Sequence, residues 1–237
     1  MSELNSSSLP VHIGFIMDGN GRWAKKRGLE RKFGHKEGAK TFRKVVSYCK
    51  ERGIKYITFY AFSTENWKRP KDEVDSIMAL FDQYLDEVRE HTKENIRVMF
   101  IGDKSAFDEK FRNKMIALEE DSKDFDAMTL ILAINYGGRD DIIYAAKQAA
   151  ELVKEGTISS SQIDESLFSN LLYTKGIPDV DYIIRPSGEL RLSNFLIWQA
   201  AYAEYYFTDV LWPDFDKKDL DKALSEFKSR KRRFGGV

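Results

Sequence analysis

Cysteine is nearly missing from this chain: Cys49 is the only one. A lone thiol excludes an internal disulfide and any cysteine-based zinc site. Its place in the helical run 41–52 predicts an inert core thiol. Net charge is missing too, with 38 basic and 38 acidic residues. No global field draws nucleic acid or an acidic membrane, so any taste for anions must come from local clusters. No basic recognition helix is present either, which disfavours a nucleic-acid role. No apolar run approaches the roughly 20 residues of a membrane span. Residues 1–10 are polar and Ser-rich, without the apolar centre of a signal peptide, and are expected to be disordered. The expected setting is cytoplasmic, with a peripheral visit to the inner face of the membrane left open. There is no Gly-x-x-x-x-Gly-Lys-Ser/Thr loop and no Gly-x-Gly-x-x-Gly, so the ordinary nucleotide modes lose support. A Gly-x-Ser-x-Gly nucleophile elbow is also lacking.

What is present fits a soluble globular chain, with 42% hydrophobic and 32% charged residues among 237. That length predicts a single large domain over residues 1–237. Short β-like runs at 11–17, 54–59, 96–101, 128–134 and 182–184 alternate with amphipathic stretches at 35–51, 71–91, 105–122 and 139–154. Further helices are expected at 161–171 and 217–232. This alternation predicts an α/β fold, a mostly parallel sheet surrounded by helices.

The polar clusters fall in register with that pattern. Asp18-Gly19-Asn20-Gly21-Arg22 follows the first strand, Ser63 to Pro70 the second, Asn135 to Asp140 the fourth, and Arg185 to Asn194 the fifth. Ligands of open parallel sheets bind beyond the carboxyl ends of the strands, so these loops should converge. Arg22, Arg31, Arg69, Arg185 and Arg191 lie in or near them, and guanidinium forks bind phosphate bidentately. One phosphate needs fewer cations; two diphosphates would use them all. The other reading of each arginine is a surface residue with an acidic partner. Ser187-Gly188 offers a turn whose amides could face an anion.

Asp18 is the best candidate metal ligand; Glu204, in an apolar and aromatic stretch, is costly there unless paired or coordinating an ion, and otherwise reads as a solvated acid on an amphipathic edge. Magnesium suits a site of one or two carboxylates completed by substrate phosphates. Glu73 could instead cap the helix after Pro70. His35 reads as a base, a phosphate partner or a structural histidine. Ser63 and Asn66 could cap the next helix or touch substrate, and Trp67 could be core. Val74, Ile77, Met78, Phe81, Leu85 and Val88 form one helical face. It either packs on the sheet or lines a channel opposite Phe59, Ala61, Met128, Leu130, Leu132 and Ile134.

His12 to Trp23, Phe62 to Pro70, Asn135 to Arg139, Arg185 to Asn194 and Trp212-Pro213-Asp214-Phe215 together resemble the signature blocks of the cis-prenyltransferases. The blocks occur in order over almost the whole chain. The resemblance implies a homodimer, magnesium and an elongated hydrophobic tunnel. It implies sequential condensation of isopentenyl diphosphate onto an allylic diphosphate, with farnesyl diphosphate the expected starter. Undecaprenyl diphosphate, for a cell-wall lipid carrier, is the expected product. By position, it makes Asp18 the essential aspartate working with metal. Gly19, Asn20, Gly21 and Arg22 become the cradle of the allylic diphosphate, with Trp23 and Arg31 beside them. His35 falls near the reacting diphosphates. Phe62, Ser63, Glu65, Asn66, Trp67 and Arg69 become a mobile catalytic segment, in which Ser63 and Asn66 position or deprotonate the incoming unit. Glu73 lies just beyond it. Arg185, Arg191 and Ser193 become the isopentenyl diphosphate site, and Glu204 a second metal-site acid. In the tail 228–237, Arg233 and Gly235 are expected to reach the partner subunit. Ile134 is bulky for a tunnel wall, which bears on product length.

Asp140-Asp141 lacks a following aspartate three residues on, so the metal motif of the all-helical trans-prenyltransferases is missing. Two rivals stand beside this reading. One is a non-catalytic subunit of the same family, which would tend to lose first-loop residues that persist here. The other is a phosphate-binding α/β enzyme such as a phosphatase.

Overall fold

Strands covered on both faces read as continuous apolar runs. In the computed structural model, which describes residues 9–90 and 95–230, β1 (His12–Ile16) is such a strand, buried at every position. The others are β2 (Tyr56–Ser63), β3 (Ile96–Ile101), β4 (Met128–Tyr136), β5 (Tyr182–Arg185) and β6 (Glu204–Phe207). They form a six-stranded sheet in the order β3-β4-β2-β1-β5-β6. Every pairing is parallel. The helices are α1 (Asn20–Lys26), α2 (Arg31–Glu51), α3 (Lys71–Glu90), α4 (Glu109–Asp121), α5 (Gly138–Lys154), α6 (Glu165–Ser169) and α7 (Lys217–Ser229).

The expected α/β class is what the chain adopts, with differences at particular elements. β6 is a strand the alternation pattern does not predict, because Glu204 and three aromatics give it no apolar/polar alternation. α1 is missed as well, since its sequence opens with turn residues. α2 starts at Arg31 rather than at residue 35, running through Gly34. α4 starts late because the Asp108 carboxylate accepts the Phe111 amide at 2.8 Å and caps the helix there. α6 shrinks to five residues behind the Asp164 cap. Residues 1–8 lie outside the described residues. Leu9 packs on the core and Pro10 is buried.

Two apolar clusters cover the two faces of the sheet. One packs α2, α3, α4 and α7 against Phe15, Phe59, Leu130 and Leu132. Cys49 lies within it, fully buried, and burial pushes its thiol well above the ordinary range, as an inert core thiol requires. The other cluster sets Phe195, Leu196 and Ala200 on Ile131, Ala133 and Ile183. From β1 the chain moves to one side through β2, then returns to the other through β5. That reversal makes a crevice at the carboxyl ends of β1 and β5, where α/β sheets bind ligands. Register shifts at Phe62 and Ser63 also disrupt the end of β2 beside this crevice, a usual position for bulges near functional sites.

Candidate active site

The loops after β1 and β5 meet across the crevice. The Arg185 guanidinium, 3% exposed, donates from Nη2 to Asp18 Oδ2 at 2.9 Å and from Nη1 to Ser193 Oγ at 2.8 Å. It also donates to the Arg191 carbonyl. Arg22 donates to Ser187 O at 2.9 Å and Ser187 Oγ at 2.6 Å, and lies 3.3 Å from Asp18 Oδ1. Residues 167 apart in sequence thus form one charged cluster. Burial pushes the Asp18 carboxyl up, but the hydrogen bond and charge of Arg185, with Arg22 and Ser187, outweigh it. The carboxyl stays below the usual range, an anion at neutral pH.

Close backbone approach places this loop. Gly19 takes φ +104°, turning the chain into α1. The first backbone bond across α1 is Trp23 N to Gly19 O, 2.8 Å, so the amides of Asn20, Gly21 and Arg22 have no carbonyl four residues back within the helix. α1 lies tightly on α2, where a Cβ on Gly34 would sit 2.0 Å from Asn20 O. Trp212, fully buried, donates its indole N–H to Gly38 O at 2.9 Å, while its amide donates to Asp18 O at 3.0 Å. The Trp212 to Phe215 block is therefore the scaffold behind the Asp18 loop.

A second cluster surrounds Glu73, which is 8% exposed in the first turn of α3. Arg69 Nη1 donates to its Oε1 at 2.9 Å. Arg31 lies 3.0 Å from Oε2 as a charge contact only, for that oxygen accepts no hydrogen bond. His35 Nε2 lies 3.5 Å from Oε1. Burial lowers the His35 pKa, the Glu73 charge opposes this, and Arg69 and Arg31 lower it further. The net shift is downward, so the imidazole is neutral at pH 7.

These clusters border a cavity of about 710 Å³. Asp18, Gly19, Asn20, Gly21, Arg22, Arg31, His35, Ser63, Glu65, Asn66, Arg69, Arg185, Arg191 and Ser193 all line it. Its apolar wall comes from Phe42, Ala61, Ile77, Phe81, Tyr84 and Leu132. Buried polar atoms normally find partners. Asn20 Oδ1, His35 Nε2, Glu73 Oε2 and Arg185 Nε, all around this cavity, have no hydrogen bond. The Arg185 Nε–H is a donor that an anionic ligand would satisfy, whereas Glu73 Oε2 stands behind the cavity.

Several expected residues sit elsewhere. Trp23 turns away, donating to Asp214 Oδ1 at 2.6 Å under the Arg27 guanidinium. Phe62 is core, edge-on to the Trp67 ring at 4.9 Å. Trp67 is held by Asn135 Oδ1 at 2.8 Å and by Phe107. Neither lines the cavity, and Glu73 stands behind it. Of the proposed channel residues on β4, only Leu132 faces the cavity; Met128, Leu130 and Ile134 are core. The Ser187 and Gly188 amides do not face an anion, because they donate to Val210 O and Thr208 O. Ser63 and Asn66 form a capping box, with Ser63 N donating to Asn66 Oδ1 at 3.1 Å. Arg233 and Gly235 lie outside the described residues.

Comparison with known proteins decides the family. Residues 16–235 match the family model for undecaprenyl diphosphate synthase. An isoprenyl transferase of Clostridium perfringens is 50% identical over 235 residues, 99% of this chain and 93% of its own length. The Pasteurella multocida ditrans,polycis-undecaprenyl-diphosphate synthase, (2E,6E)-farnesyl-diphosphate specific, is 49% identical over 238 residues, covering 100% of this chain and 99% of its own. A crystal structure of Lavandula x intermedia lavandulyl diphosphate synthase, in complex with dimethylallyl diphosphate, superposes with a TM-score of 0.92 at 37% identity, covering 98% of this chain and all of that one.

The chain belongs to the undecaprenyl diphosphate synthase family. It is a prenyltransferase, and the resemblance carried by the five blocks holds.

Prenyltransferases of this family generally use a metal. Among the described residues no three His, Cys, Asp or Glu side chains group into a cage. The donor that fits is the Asp18 carboxylate, 28% exposed at the cavity. A lone hard oxygen donor of this kind suits a cation whose remaining ligands come from substrate. Glu204 does not join it within one chain. Its register partner on β5 is Tyr182, which pairs Ile13 on β1, so Glu204 lies at the opposite end of the sheet. Three residues of strand rise, roughly 10 Å, and the turn after Ile16 separate that level from Asp18. Its carboxylate instead accepts from Arg230 at 2.6 Å.

Among the described residues no helix is long and apolar enough to cross a membrane.

Sequence reasoning gave no role to Glu189 or to the Asn194 side chain, and it read Ser187 for its amide rather than for the oxygens that hold Arg22. Glu189 lies 3.3 Å from Arg22 and pairs with Arg191, keeping both guanidiniums at the cavity. A Ser-Gly-Glu turn carries no sequence signal for that. Positive φ at Ser187, Ser193 and Asn194 marks the loop as held against local preference.

Proposed function

We propose that this chain condenses isopentenyl diphosphate units onto farnesyl diphosphate, making a long-chain cis-polyprenyl diphosphate of undecaprenyl length. The observation that carries the reading is a pair of charged clusters, Arg22 and Arg185 on Asp18 and Arg31 and Arg69 on Glu73, that border one cavity with an apolar wall. Two anionic heads and one hydrocarbon tail need that combination. In each cycle the allylic C–O bond breaks and diphosphate departs. The isopentenyl double bond attacks the allylic carbon, and loss of a proton completes the new alkene. Arg22 and the Asn20 to Arg22 amides hold the allylic diphosphate and stabilise the charge gathering on it. Such preorganised electrostatics is usually the largest catalytic contribution. Asp18 would hold magnesium, which would supply further charge neutralisation for the leaving group. Arg185, Arg191 and Ser193 hold the incoming isopentenyl diphosphate. Arg31, Arg69 and neutral His35 close the other side around Glu73. Ser63 and Asn66 exchange their mutual cap for contacts with that unit. Fixing both reactants this way can remove roughly 7–11 kcal/mol of barrier.

The cavity between α2, α3 and the sheet extends, in this reading, into a tunnel for the growing chain. The active form is a cytoplasmic homodimer in which Arg233 and Gly235 reach the partner's site. A role for Glu204 in metal binding would likewise have to be across subunits. Product leaves by peripheral contact with the membrane.

The test supplies radiolabelled isopentenyl diphosphate, farnesyl diphosphate and magnesium. Label entering an organic-extractable lipid, sized by chromatography, is the expected result. Phosphate release with no extractable label would favour the phosphatase rival and overturn this reading.

A further inference from the structure

Three loops converge on one side chain that has no assigned part in the chemistry. Asn194 follows Ser193 in the loop after β5 and lines the cavity. Its Oδ1 accepts the Arg139 amide at 2.9 Å, and its carbonyl accepts the Gly138 amide at 2.6 Å, both at the start of α5. A backbone N–H can only donate, so this contact fixes which end of the amide is oxygen. The Nδ2 end is thereby aimed at Glu65, and donates to its Oε1 at 3.0 Å. Glu65 belongs to the single turn of tight helix Thr64–Lys68, which is flanked by Ser63 and Arg69 and contains Asn66. Burial pushes the Glu65 carboxyl up, but hydrogen bonds, that of Asn194 among them, hold it below the usual range, so it accepts as an anion.

The meeting point has no spare room. A Cβ on Gly137 would lie 2.6 Å from Asn194 Nδ2, 2.5 Å from Asp140 Oδ2 and 2.9 Å from Thr64 Oγ1. Thr64 Oγ1 also donates to Asp140 at 3.0 Å, tying the segment after β2 to the first turn of α5. Asn194 itself holds φ +67°, a conformation that asparagine tolerates better than most residues. Its neighbour Ser193 accepts from Arg185. One residue therefore joins the loop bearing Arg185 and Arg191 to the segment bearing Ser63, Asn66 and Arg69.

We infer that Asn194 is a positioning residue: its amide latches Glu65, and so holds the segment 63–69 against the loop after β5 and over the cavity. This rests on the proposed condensation for its kinetic consequence, though not for its geometry. It moves Glu65 from substrate contact to latch partner. Neither side chain touches a reacting atom. Their loss acts through misplacement of Ser63, Asn66 and Arg69, and a shift of 1 Å at reacting groups can cost roughly 100-fold in rate.

The test is a charge-swap rescue. Asn194→Asp keeps the acceptor for Arg139 but sets a carboxylate against Glu65. Glu65→Gln alone keeps an acceptor for the Asn194 amide. In the double variant the new glutamine can donate to the new carboxylate. Two readouts are taken on the full-length protein: kcat and KM for condensation, and amide exchange over residues 63–69 without substrate. Asn194→Asp is expected to lower kcat roughly 10–100-fold and to speed exchange over 63–69. The double variant is expected to recover both readouts relative to Asn194→Asp, moving towards the level of Glu65→Gln alone. Asn194→Gly, which keeps the positive φ without the amide, loses activity as Asn194→Asp does but less severely. A double variant no better than Asn194→Asp, with unchanged exchange over 63–69 in all variants, overturns the latch. Wild-type protein that incorporates no label overturns the condensation instead, and the exchange measurement still decides the latch.

Discussion

At the scale of single residues, burial sets the charge states. Asp18 is an anion because Arg185, Arg22 and Ser187 outweigh its desolvation. Asp18→Ala should lower kcat by roughly 10²–10³-fold. The fold should survive, because Arg185 keeps Ser193 and the Arg191 carbonyl; a circular-dichroism melt beside the assay checks both. His12 makes a separate prediction far from the chemistry. It is 1% exposed, with Nδ1 2.7 Å from Pro178 O and Nε2 2.7 Å from Thr58 Oγ1. Desolvation lowers its pKa from 6.5 to about 4. The unfolded chain therefore binds the proton first, and stability rises with pH across that interval. His12 contributes fully above pH 6.5 and loses roughly 3 kcal/mol as the pH falls towards 4. Urea titrations at pH 7 and 4.5 should show the fall, and His12→Ala should flatten it. The arginines and Asp18 were readable from the chain because charged residues in Gly-rich turns after apolar strands have few other uses. Trp23, Phe62 and Trp67 were not. An aromatic in a site motif packs as readily behind the site as in it, and only neighbours distant in sequence, Asp214 and Asn135, decide which.

At the scale of elements, helix packing positions the loop. α1 touches α2 where glycines remove side chains, so Gly34→Ala would drive a methyl into the Asn20 carbonyl. Overpacking of this kind costs about 1–3 kcal/mol. Because α1 carries Asn20 to Arg22, activity should fall further than stability alone explains; a melt and an assay at saturating substrate separate the two. Gly28→Ala is the contrast, for a Cβ there meets nothing within 4 Å. Its positive φ costs stability alone, so activity per folded molecule should hold. Strands β1 to β5 and the six helices α2 to α7 were visible in the sequence pattern, α6 with much longer bounds than it adopts. β6 was not, since an edge strand rich in tyrosine lacks alternation, and α1 is too short to show a period. Glu204 followed β6: without the strand, nothing told which end of the sheet it occupied, or that it could not meet Asp18 within one chain.

At the scale of the whole molecule, parallel topology does the gathering. With every strand running the same way, the segments that follow β1, β2 and β5 emerge at one rim beside α2 and α3. Cavity depth then bears on product length. Ala61 lines the apolar wall from β2, and Ala61→Phe should narrow the bore. The expected outcome is a shorter polyprenyl product with first-condensation rate near wild type, read by chromatography of the labelled lipid. Unchanged chain length would mean that the tail does not thread past β2. The convergence of the loops could be anticipated from the alternation of elements, but the core placement of Met128, Leu130 and Ile134 could not. Periodicity assigns a side chain to a face and says nothing of whether that face meets a helix or a void.

The most direct test is a crystal structure of the protein with magnesium, isopentenyl diphosphate and an unreactive allylic thiodiphosphate together. One diphosphate should lie on Arg22 and the Asn20 to Arg22 amides, the other on Arg185, Arg191 and Ser193, with the hydrocarbon running between α2 and α3 towards Phe81. Diphosphates found away from the Asp18–Arg185 pair, or a tail lying outside that cavity, would contradict the account.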